Sequence, residues 1–84
     1  MNQSVHFPDR ECWDERRQAV CFPALVGGMQ LTCAIKSEAL QIRYGVNAVA
    51  PLALFRQHRW DLEEEAQQRI RNQEDDETGW LWLP

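Results

Sequence analysis

The side chains able to do covalent or acid–base chemistry are few: Cys12, Cys21 and Cys33, with His6 and His58. A structural zinc site is built on C-x₂₋₄-C spacing, which no pair of these cysteines has. A nucleophilic Cys–His pair would need His58 to meet Cys12 in space, with a third group to orient the ring; nothing in their spacing points to that. His58 and Arg59 flank an apolar helical stripe between Phe55 and Leu62. One reading makes them a polar site where helix meets sheet, in a small ligand-binding protein or enzyme with Cys12 nearby. The plainer reading lays the arginine stem along apolar surface with its head in water and leaves the histidine at the border. The glycines are all used by turns and element ends, so none remains for a phosphate-cradling loop, and neither G-x-S-x-G nor H-E-x-x-H occurs. The expectation is no catalytic residue, no metal site and no cofactor.

Trp60 points to a different kind of chemistry. At 100° per residue it lies about 140° around a helix from Phe55, among Arg56, Glu63, Glu64 and Gln67. Tryptophan and arginine are enriched where binding energy concentrates, and Arg56, one turn earlier, could stack on the indole. Trp60, Arg56 and Glu64 therefore form a candidate interaction surface. The competing reading covers Trp60 with the N-terminal segment (Phe7, Trp13) or the chain end (Trp80, Trp82), since four tryptophans in a small protein must pack somewhere.

Composition narrows the field. The chain has 84 residues, with 9 Lys+Arg against 13 Asp+Glu and a net charge of −4, which fits one domain over 1–84. The acidic balance makes nucleic acid an unlikely partner, because cations supply most of the affinity for phosphates. That reading would require Arg16, Arg17, Lys36 and Arg43 to form one basic face. No apolar run approaches the ~20 residues that span a bilayer, and the first residues lack a signal peptide's pattern. An odd number of cysteines argues against a disulfide framework. A cytoplasmic protein with reduced thiols and no membrane partner is expected, with a monomer favoured.

The elements that must position these residues are legible in the periodicity. Val20, Phe22, Ala24 and Val26 alternate, as do Met29, Leu31, Cys33 and Ile35, and Gly27-Gly28 between them suits a primed hairpin turn. Pairing Val26 with Met29, Ala24 with Leu31, Phe22 with Cys33 and Val20 with Ile35 places both apolar sets on one face. The hairpin spans about 18–36, with Cys21 and Cys33 on opposite faces. Pro23 should leave the outer edge exposed or only partly covered. Residues 4–7 are a weak strand candidate. Ser37 reads as an N-cap for a helix over 37–44 ended by Gly45; a third strand through Leu40, Ile42 and Tyr44 is the rival. Leu52, Phe55, Leu62, Ala66 and Ile70 predict one long helix over about 48–73, capped by Asn47 or begun near Ala50 with Pro51 in its first turn. The acids at 74–77 must end it or lie beyond it, and about 74–78 reads as a mobile acidic connection; the acidic run could dock a basic partner, but such runs are more often solvated. Residues 80–83 form an apolar strand expected to be covered on both sides. The result is a small α+β fold: a mostly antiparallel sheet with the helices packed on one face.

Phe7-Pro8-Asp9-Arg10-Glu11 with Trp13-Asp14, then Val20-Cys21-Phe22-Pro23, the run Gly28 to Ile35, the run Phe55 to Ala66 and the ending Gly79-Trp80 with Trp82-Leu83-Pro84 resemble the YrdB-like family. These are short bacterial cytoplasmic proteins classed as a domain of unknown function. The family pattern places a proline directly after the helix cap; here Pro51 comes later. The resemblance implies the α+β fold and a helix at 37–45, and it brings no catalytic residue. The function is thus read as unknown. The favoured reading is a non-enzymatic protein-interaction or adaptor module, ahead of a small ligand-binding protein or enzyme and of nucleic-acid binding.

Overall fold

Alternating apolar residues on either side of Gly27-Gly28 fold Ala19–Val26 against Met29–Lys36 in the register expected, Val26 opposite Met29 and Val20 opposite Ile35. Both turn glycines have positive φ, 56° and 87°, the left-handed backbone a two-residue type I′ turn requires. The computed structural model describes residues 4–45 and 49–84. Its elements are β1 (Val5–His6), β2 (Cys12–Asp14), β3 (Ala19–Val26), β4 (Met29–Lys36), α1 (Ser37–Tyr44), α2 (Pro51–Gln57), α3 (Arg59–Arg71) and β5 (Trp80–Leu83).

The sheet runs β1-β3-β4-β5, with β2 also paired to β3. All pairs are antiparallel except β4 with β5. β1 sits opposite Leu25 and Val26, and β2 opposite Ala19 to Cys21. The two short strands therefore share the outer edge of β3, and the chain leaves that edge at Pro23, which has no N–H to offer. The edge is covered on either side of the proline and open at it.

Val20, Phe22, Ala24, Leu31, Cys33 and Ile35 send their side chains to one face, where Leu40, Leu54, Phe55, Leu62, Ala66 and Ile70 of the helices meet them. The Phe22 and Phe55 rings lie 4.8 Å apart at the centre of this layer. Each fully buried Val, Leu, Ile or Phe side chain in it contributes about 1.5–3 kcal/mol. Burial also raises the Cys33 thiol to about 12.

Three expectations are corrected. The single helix over 48–73 is two helices broken at His58, whose φ of −117° leaves the helical range. Its N–H donates to Phe55 O, one residue short of an α-helical bond. α2 packs on β2, β3 and α1, whereas α3 runs along β5, so the layer turns a corner to stay on the sheet. α2 begins at Pro51 after Ala50, as the later start requires; Asn47 lies outside the described residues. Ser37 is not a side-chain cap: Lys36, still paired with Ala19, precedes the helix directly, and the Ser37 N–H donates to Gln18 O. The third-strand rival for 40–44 is excluded by α1, which ends on Gly45 at φ 66°.

The third correction concerns β5. Leu81 and Leu83 are buried toward the helices, but on the opposite face Trp82 is 38% exposed and Trp80 half-buried, with no helix or strand among the described residues laid over them. They stack on each other at 5.7 Å, with the Arg17 guanidinium 4.5 Å from the Trp80 ring and Lys36 Nζ 6.0 Å from the Trp82 ring. Between α3 and β5, Asp76 accepts from Thr78 N–H, Thr78 Oγ1 and Trp80 N–H. The acidic run thus carries the turn that starts the last strand.

Candidate functional site

Arg59 opens α3 beside the start of β2. Its side chain is 18% exposed, its guanidinium stands 5.4 Å from the Phe55 ring centroid, and Nη2 lies 2.5 Å from Glu11 Oε1. That oxygen is out of solvent and makes an ion pair with Arg59 without an in-line hydrogen bond. Glu11 Oε2 accepts from Arg56 Nε at 2.8 Å. Asp9 and Glu63 complete the cluster at 3.3 Å and 3.5 Å from Arg59 Nη1. The guanidinium of Arg59 beside it, helped by Arg56, holds the Glu11 carboxyl down at about 2, although partial burial works against the charge. Glu63 is shifted the other way, because its desolvation outweighs the attraction of Arg59.

This arrangement separates the residues that a helix–sheet polar site would need together. Arg59 turns to Glu11 and β2, its head held in a charge cluster instead of in water. His58 turns to α1, its ring stacked on Tyr44 at 3.6 Å with the planes 4° apart. Trp13 packs against the core, so Cys12, its neighbour on β2, points to the face without helices. His58, Arg59 and Cys12 do not converge. Among the described residues, no group of three His, Cys, Asp or Glu side chains is placed to hold a metal ion.

The candidate interaction surface is partly assembled. Trp60 is 85% exposed, so neither the N-terminal segment nor the chain end covers it. Arg56 does not stack on it, being drawn to Glu11 instead. Glu64 does stand beside it: Phe7, Trp60, Glu63, Glu64 and Gln67 line a shallow groove of about 380 Å³. The four cations of the nucleic-acid reading are mostly engaged elsewhere. Arg17 pairs with Asp14, Lys36 lies over Trp82, and Arg43 forms a two-point pair with Glu65 and donates to Pro84 O.

Glu11, Asp9 and Tyr44 were not anticipated from the sequence. β2 has only three residues, too few for periodicity to mark Glu11 as the residue entering a strand. No local spacing links it to Arg56 or Arg59. Helical spacing shows the neighbours of Arg59 in its own helix, not the carboxylate that reaches it from the sheet edge.

Relatives of this fold are known. A solved structure from Shewanella loihica PV-4, a protein of unknown function from the DUF1488 family, superposes with a TM-score of 0.90 at 31% identity, over 99% of this chain and 94% of that one. Among curated proteins, "Uncharacterized protein YrdB" of Escherichia coli (strain K12) and its namesake in Shigella flexneri are each 61% identical over the full length of both chains. No helix among the described residues is long and apolar enough to cross a membrane. The family model "Protein of unknown function (DUF1488)" matches residues 5–83, and the chain belongs to that family.

Proposed function

We propose that this chain is a non-enzymatic protein-interaction module in which the α3 face around Trp60 receives a basic segment of a partner protein. The observation that carries this reading is an indole 85% exposed on α3, well beyond Trp82 at 38%. Leaving that apolar surface in water forgoes about 1.5–3 kcal/mol of burial, which a partner would recover. The charge around it favours a cation. Asp61 and Glu64 are exposed and form no ion pair among the described residues, while Arg56 and Arg59 are held by Glu11. A lysine or arginine laid over the Trp60 face gains a cation–π interaction of about 0.5–2 kcal/mol with carboxylates at its rim. Phe7 supplies an apolar wall to the same groove.

The test pairs wild type with Trp60→Ala and Glu64→Lys in affinity capture from native lysate, followed by titration of the captured protein in purified form. Both variants should weaken binding at least tenfold, and the wild-type affinity should fall as salt rises. Equal affinity of all three proteins would refute the reading.

A further inference from the structure

Cys12 and Cys21 are directly opposite each other on antiparallel strands, so their side chains share a face. Such partners have Cα atoms about 4.5–5.5 Å apart, within the separation a disulfide spans. Cys12 is exposed and Cys21 buried; both are free thiols. Cys33 is on the other face and wholly buried, which leaves these two as the pair able to join. They line a groove of about 440 Å³ beside Pro23 together with His6, Pro8, Arg10 and Thr32. Arg10 is exposed and makes no ion pair among the described residues.

We infer that Cys12 and Cys21 form a reactive dithiol, oxidised to a cross-strand disulfide by a small anionic disulfide that Arg10 draws into this groove. The exposed Cys12 sulfur, as thiolate, attacks one sulfur of the small disulfide. The S–S bond breaks, one thiolate leaves and takes a proton, and a mixed disulfide remains on Cys12. Cys21 then gives up its proton and attacks the Cys12 sulfur, expelling the second thiol. Two protein thiols are oxidised by two electrons, and one small disulfide is reduced to two thiols. The order follows from access: Cys12 faces solvent, whereas Cys21 is buried, its thiol raised to about 11 by that burial, and reaches a sulfur only in the second, intramolecular step, where its place directly opposite Cys12 replaces concentration.

The experiment incubates the reduced full chain with oxidised glutathione, blocks the remaining thiols by alkylation and maps the peptides by mass spectrometry. Wild type should lose two hydrogens, keep one alkylated cysteine (Cys33) and yield linked Cys12 and Cys21 peptides. Cys21→Ser should stop with one glutathionyl group on Cys12, and Cys12→Ser should remain unmodified. Arg10→Ala should slow the wild-type reaction severalfold with oxidised glutathione but not with the neutral bis(2-hydroxyethyl) disulfide. Three alkylated cysteines in wild type, or a glutathionyl group persisting on Cys12, would overturn the dithiol without recourse to any variant. Equal slowing of both reagents by Arg10→Ala would overturn the anion-selective groove.

Discussion

Arg59 stands 2.5 Å from the buried Glu11 oxygen, so a carboxylate entering the sheet edge is tied by charge to the corner between two helices. Glu11 is only 7% exposed, and Arg56 holds its other oxygen. The link ties the N-terminal segment to that corner between α2 and α3. It also fixes Asp9 and the chain leading from Phe7, one wall of the Trp60 groove.

Acid should therefore loosen the protein through Glu11. Its carboxyl is held at about 2 in the fold against 4.5 without neighbours. A depressed carboxylate stabilises the fold above its unfolded value and loses that contribution as pH falls from about 4.5 toward 2. Glu11→Gln should cost about 2–3 kcal/mol near neutral pH and show a flatter decline below about pH 4.5. Urea unfolding across that pH range measures both.

Removing only Arg59 leaves the Glu11 carboxylate with Arg56 alone and its Oε1 out of solvent, a loss approaching the ~3–5 kcal/mol of an uncompensated buried charge. Arg59→Met should thus be more damaging than Glu11→Gln. The double variant should be less damaging than their sum by about 1–3 kcal/mol. A double-mutant cycle in denaturant reads this coupling, and additive losses would mean the two residues act separately.

The turn gives a prediction that packing does not enter. A Cβ on Gly28 would meet nothing within 4 Å, while its φ is 87°. Gly28→Ala should cost about 1–2 kcal/mol through backbone strain alone. Thermal unfolding checks it, and an unchanged midpoint would show that the turn relaxes to another type.

In the core, Phe55 is fully buried against Phe22. Phe55→Ala should lose about 3–5 kcal/mol, whereas Trp60→Ala, a change in open solvent, should stay within about 0.5 kcal/mol. Denaturation of the two variants side by side separates a packing aromatic from a presented one.

The hairpin was readable because two alternating runs and a Gly-Gly turn each specify the same register, and slipping by one residue would turn Phe22 and Cys33 to the wrong face. The break at His58 was not, since Phe55, Leu62, Ala66 and Ile70 keep one helical phase across it. The corner comes from the sheet beneath, which local spacing does not encode. Likewise Arg56 pairs with Glu11 and not with the indole of Trp60, because the acid comes from a distant part of the chain that no helical spacing links to it. Helical spacing places Trp60 on the polar face, yet only the folded chain tells whether another tryptophan covers it. Trp80 and Trp82 instead stack on each other beneath Arg17 and Lys36.

The most direct test of the interaction reading is affinity capture with wild type and Trp60→Ala side by side, once both have been found to unfold at the same denaturant midpoint. A partner with a basic surface, bound stoichiometrically by wild type, released by salt and absent from the variant, is the predicted result. The same proteins recovered by both baits, or none by either, would contradict it.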